Sequence, residues 1–159
     1  MAAAAIVLAA CPTAVATPAH AAGPSPTRAP NHTMAAVRVD AAWVRAAPPG
    51  VAMLAGYMVL HNEGSTPLTF TGASSDAFGM VELHRSQTVN GMETMRPAGA
   101  QAIPAGGVLR IEPGGLHLML MQPKRALKIG DAVHFTLHFA GGADADVSAT
   151  VRADAPSPH

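Results

Sequence analysis

The chain has 159 residues, with ten basic and ten acidic side chains, a formal net charge of zero and only 13% charged positions. That length allows one domain with a core of its own, and so sparse and balanced a charge excludes an electrostatic nucleic-acid binder. The single cysteine, Cys11, excludes an intrachain disulfide and a cysteine-built zinc site, while nine methionines and eight histidines are many for a chain this weakly charged.

Residues 1–21 read as a signal peptide. Ala2 to Ala16 is mostly small and apolar, and Ala19-His20-Ala21 offers an A-x-A cleavage site that leaves Ala22 as the mature N-terminus. The segment lacks the usual basic start, since the first Lys or Arg is Arg28. A second reading takes Leu8-Ala9-Ala10-Cys11 as a bacterial lipobox, which makes Cys11 a lipidated first residue and anchors the protein to a membrane. A third takes the segment as a plain disordered terminus. Export to the periplasm, or to another extracytoplasmic space, agrees with a mature domain free of thiol ligands, which oxidise outside the cytosol.

Residues 22–36 are Pro-rich and without pattern, as in a linker. From Val37 the texture changes to short β-like runs punctuated by glycine and proline. Strands are expected near 37–45, 54–62, 67–70, 79–88, 92–96, 107–112, 116–121, 132–139 and 145–152. Turn signals separate them, among them Pro48-Pro49-Gly50, Asn62-Glu63-Gly64, Asn90-Gly91, Pro113-Gly114-Gly115 and Gly141-Gly142. So many short strands define an all-β antiparallel sandwich or barrel over residues 37–152, followed by a disordered tail at 153–159. After the leader no apolar run approaches the roughly eighteen residues of a spanning helix, so no transmembrane span is expected in the mature chain.

Two of these strands carry chemistry. In Gly114-Gly-Leu-His-Leu-Met-Leu-Met121, Leu116, Leu118 and Leu120 alternate with His117, Met119 and Met121, so one face is leucine and the other an imidazole with thioethers. Asn90-Gly91 is a type I′ hairpin signal that sets Val89 opposite Met92 and Ser86 opposite Met95. His84 then lies diagonal to Met95 on one face, at roughly 7–8 Å between Cα atoms, while Met92 falls on the other face with Val81, Leu83 and Val89. Each element thus offers one imidazole and one thioether: His84 with Met95, His117 with Met119. Thioether sulfur is soft and uncharged and selects Cu(I) over zinc, magnesium or calcium, and imidazole binds copper well. Such a set holds Cu(I) but exchanges it more readily than a thiolate cage, as a carrier must.

Other donors have plainer readings. A single strand methionine is more often core filler or surface than ligand. Met121 shares the face of His117 and reads as packing at its rim, with a spare ligand as the alternative. Met80 and Glu82 share the face of His84, with Glu82 solvated; His134 and His138 form the outward face of their strand. His32-Thr33-Met34 repeats the His-x-Met spacing inside the linker and is incidental, and His20, His61 and His159 have no evident partner.

The donor spacing resembles that of the periplasmic copper chaperones of the PCuAC family, whose signature is His, ten residues, Met, twenty-one residues, His-x-Met; His84, Met95, His117 and Met119 keep both gaps. The stretches "VELHRS", "METMRP", "IPAGGVLRIEPGGLHLMLM" and "LKIGDAVHFTLHF" are similar too. The resemblance spans roughly residues 37–152. It implies a cupredoxin-like (immunoglobulin-like) β-sandwich binding one Cu(I) through those four side chains. It also implies delivery of copper to the copper A centre of cytochrome c oxidase, alongside a Sco-type thioredoxin-fold partner. Members often carry a further Met just after the first His, where this chain has Arg85 and Ser86, and some have a His- and Met-rich Cu(II)-binding tail, where this one has only His159.

The leading expectation is therefore a monomeric Cu(I) metallochaperone without enzymatic activity. A copper-tolerance buffer uses the same ligands, and a purely structural β-sandwich uses none. An electron-transfer cupredoxin needs a cysteine thiolate, and Cys11 lies in the leader; a zinc hydrolase is disfavoured by the lack of H-E-x-x-H.

Overall fold

The computed structural model describes residues 36–154 apart from Pro49. The expected signal peptide, Cys11, nearly all of the linker, and the end of the tail, with His20, His32, Met34 and His159, lie outside the described residues. Ten strands follow in order: β1 (Val37–Arg45), β2 (Met53–Asn62), β3 (Leu68–Ser74), β4 (Phe78–Val89), β5 (Met92–Pro97), β6 (Gln101–Ile103), β7 (Val108–Ile111), β8 (Leu116–Pro123), β9 (Ala132–Phe139) and β10 (Ala143–Arg152). No helix among the described residues is long and apolar enough to cross a membrane.

The strands form because their apolar residues alternate and so can line one face. In β8, Leu116, Leu118 and Leu120 turn inward, and in β9 Val133, Phe135, Leu137 and Phe139 do. With Leu54, Met58, Leu60, Phe70, Leu83, Ala149 and Val151 they make a single core. The strands hydrogen-bond in the order β5-β4-β8-β7-β2-β1-β10-β9-β3-β6, with β8 also pairing β2. The two ends of this order share that core, so the sheet folds over itself into a sandwich. In β1 the register slips between Asp40 and Trp43 and Ala41 takes a positive φ of 49°; a bulge of this kind bends a strand.

Eight of the nine expected strands match closely. Most pairings are antiparallel, but β1 runs parallel to β10 and β7 meets β8 in a short parallel contact. β6 escapes sequence reading because three residues cannot show a period. β3 extends to Ser74 beyond its expected end, across a register slip between Phe70 and Gly72. Such a slip breaks the alternation on which the expectation rests.

The β4–β5 hairpin folds in the expected register, with Val89 opposite Met92 and Ser86 opposite Met95. Asn90 and Gly91 both have positive φ, 51° and 77°, as a type I′ turn requires. The hairpin reaches past the core, because β4 pairs with β8 only from Phe78 to Arg85. Met92, on the core-side parity with Leu83, is therefore 68% exposed, and Val89 43%.

Candidate metal centre

β4 and β8 are neighbours, and their register sets His84 directly opposite His117 and Glu82 opposite Met119. The leucines of β8 on the other face fix this orientation, since a one-residue slip would turn Leu118 and Leu120 to solvent. The imidazole ring centres are 6.1 Å apart, with the planes inclined by 46°. Two imidazoles on one ion, each at a metal–nitrogen distance of about 2 Å, have centres roughly 5–6 Å apart, so the two rings stand just beyond the spacing of a shared ion, with His84 Nε2 turned to Glu82. Met95, on the edge strand β5, is one diagonal step from His84 and is 57% exposed. Met119 is half-buried.

Only two polar side chains fall in the buried class among the described residues, Asn62 and His117. They differ in one respect. The Asn62 amide donates to the carbonyls of Thr66, Ile103 and Pro104 and accepts from the Gly64 amide, tying the end of β2 to the turn before β7. His117 lies with Nδ1 3.3 Å from the Gly115 carbonyl, while its Nε2 is buried without a hydrogen-bond partner. With Nδ1–H donating to that carbonyl, Nε2 keeps its lone pair. A buried unpaired nitrogen costs about 1–3 kcal/mol, which the fold tolerates where the lone pair has a use. On the neighbouring strand His84 Nε2 is 3.0 Å from Glu82 Oε2, so its N–H donates a hydrogen bond to the carboxylate.

The face continues onto β2 and β1. Ala55 pairs with Met119, and Tyr57, two residues on, stacks against Trp43 with ring centres 4.7 Å apart. The Arg45 guanidinium lies 5.7 Å from the Trp43 ring centre and 5.9 Å from that of Tyr57. Burial pushes the Tyr57 hydroxyl above its ordinary pKa, against the opposing charge of Arg45. The centre is thus bounded on one side by an aromatic pair under a cation and on the other by the exposed hairpin.

All four donors expected from the sequence therefore lie on one outer face of adjacent strands. Sequence reading linked His84 to Met95 but not His84 to His117, because the β4–β8 pairing is a long-range contact without a turn to announce it. Two of the other described histidines have other occupations. His61 Nε2 meets the Asp40 carboxylate at 3.0 Å, a partner the sequence did not disclose. His138 sits between Ser74 at 2.9 Å and Asp144 at 2.8 Å, on the outward side of β9, directly across from Asp144. Among the described residues no three His, Cys, Asp or Glu side chains are grouped to hold an ion.

The LpqE-like family, described as "Putative lipoprotein LpqE-like", matches residues 37–151. "Putative lipoprotein Lxx21020" of Leifsonia xyli subsp. xyli is 38% identical over 130 residues, covering 81% of this chain and 77% of the relative. The solution structure of CuI-DR1885 from Deinococcus radiodurans is similar at a TM-score of 0.58 and 35% identity, over 71% of this chain and 76% of that one. The copper-bound PCuAC domain from PmoF2 shares the fold at a TM-score of 0.62 and 24% identity, over 75% of this chain and 94% of that one. The fold is a cupredoxin-like β-sandwich that carries two histidines and two methionines on one outer sheet face. The chain belongs to the LpqE-like family and is a PCuAC-type domain.

Proposed function

We propose that the protein is an extracytoplasmic Cu(I) chaperone that carries one copper ion on His84, Met95, His117 and Met119 and catalyses no reaction. The observation that carries this reading is the buried, unpartnered Nε2 of His117 directly across the sheet from His84. A polar atom kept dry and unsatisfied at the centre of a soft donor set fits a cargo site better than a structural sandwich. The copper-bound state of the relative from Deinococcus radiodurans supports the choice of metal. The description of the family and of the Leifsonia relative as lipoproteins supports export and an anchor at Cys11.

The chain's own residues divide the work. His117, fixed from behind by the Gly115 carbonyl, offers a preset nitrogen. His84 must release Glu82 before its Nε2 can bind a metal, so the carboxylate holds the ring in place while the site is free. Met119 supplies a half-buried sulfur. Met95, on the exposed edge, is the donor that a partner's ligand displaces first. Two neutral imidazoles and two thioethers leave the charge of Cu(I) uncancelled, which favours exchange over storage. Handover to the copper A subunit of cytochrome c oxidase, with a Sco-type partner, is the delivery route we propose.

The test is an anaerobic Cu(I) titration of residues 22–159 against a colorimetric Cu(I) chelator, followed by X-ray absorption and by mixing the loaded protein with an apo copper A domain. One tightly held Cu(I) with mixed nitrogen and sulfur scattering, passed on to that domain, is the expected result. Failure to compete with the chelator would return the protein to a structural sandwich. Tight binding without transfer would make it a copper buffer.

A further inference from the structure

Beyond the His/Met centre, the same outer face carries a row of three methionines. Met121 of β8 lies directly opposite Met53 of β2 on one side and directly opposite Met80 of β4 on the other. All three share the strand parity of His117 and Met119, so they project to the same face. Met53 is 46% exposed and Met80 45%, with Met121 half-buried between them. Directly opposed residues have Cβ atoms roughly 4.5–5.5 Å apart, and each methionine has three rotatable bonds. The three sulfurs can therefore converge above the middle strand.

Neither packing nor strand propensity explains this row. Exposed strand positions favour β-branched and aromatic side chains. Yet four of the eight large hydrophobics exposed among the described residues are methionines, Met53, Met80, Met92 and Met95, and all four lie on β2 or on the β4–β5 hairpin. Between the methionine row and the His84–His117 pair stands the pair Glu82 and Met119. Along each strand the step from that pair to either row is two residues, about 7 Å.

We infer that Met53, Met80 and Met121 form a second, all-thioether site for a soft monovalent d10 cation, Cu(I) or Ag(I). With no nitrogen and no charge among its donors, it binds more weakly than the His/Met centre and fills after it. Met119, a donor of the His/Met centre, lies one step from the methionine row, and the Glu82 carboxylate opposite it offsets the ion's charge between the two sites. The row is a waiting position from which an ion enters the His/Met centre.

The test is an Ag(I) titration of the full chain carrying Cys11→Ser, so that no thiol competes for the soft ion, and 13C-methyl methionine, read by NMR and repeated anaerobically with Cu(I). The methyls of Met95 and Met119 should shift with the first equivalent and those of Met53, Met80 and Met121 together with the second, while the core residue Met58, 1% exposed, stays still. The triple variant Met53→Leu, Met80→Leu, Met121→Leu keeps side-chain volume and should lose the second equivalent alone. In the His84→Ala, His117→Ala variant the three methyls should still shift, now with the first ion added. Silence of the three methyls at a several-fold excess of Ag(I), or a second equivalent that survives the triple variant, overturns the inference. If Met95 and Met119 stay still while the row responds, the chaperone site falls and the thioether site stands.

Discussion

At the scale of single residues, the energetics of His117 and its use are opposed. Its Nε2 is buried and unpaired, so an apolar ring of similar shape removes a desolvation cost and loses only the 3.3 Å bond to Gly115. His117→Phe should leave the stability of the metal-free protein unchanged or raise it by about 1 kcal/mol, measured by urea unfolding, and abolish binding of the first copper. A loss of more than about 2 kcal/mol would show that the imidazole serves the fold. Asn62 is the contrast: equally buried, it spends its amide on three carbonyls.

At the scale of elements, the β4–β5 hairpin decides which thioether joins His84. Its register rests on the two residues Asn90 and Gly91 and their positive φ angles. Beyond the bond from the Ser86 N–H to the Gly115 carbonyl, the pairing of β4 is with β5 alone. Deleting Thr94 from β5 moves Met95 one place toward the turn, opposite Gln87 instead of Ser86, and so turns it to the other face. Cu(I) affinity should then fall at least tenfold, about 1.4 kcal/mol, as for Met95→Ala, while Met92→Ala should leave it unchanged; chelator competition reads all three. Equal losses for Met92→Ala and Met95→Ala would contradict the diagonal arrangement.

At the scale of the whole molecule, the site is a surface property of the core beneath it. Leu118 stands between His117 and Met119 and is 0% exposed, so Leu118→Ala should cost about 2–5 kcal/mol of stability in chemical denaturation. The folded fraction should keep its copper affinity within a few-fold, because the β4–β8 register is shared by six other residue pairs; a collapse of affinity in fully folded protein would show that the donors depend on that one contact. What the sequence by itself determined was whatever depends on near neighbours along the chain. The alternation of leucine with His117 and Met119 set the faces of β8, and the Asn90-Gly91 turn set Ser86 against Met95. The separation of the four donors carried the family resemblance. Only the tertiary structure decided what depends on strands meeting across long stretches of chain. It placed His84 opposite His117, left Nε2 of His117 buried without a partner, gave His61 the Asp40 carboxylate, and lined up Met53, Met121 and Met80 across three strands. A periodic pattern fixes which side a residue faces. Which strand lies beside it follows from how one shared core closes, and no local signal encodes that.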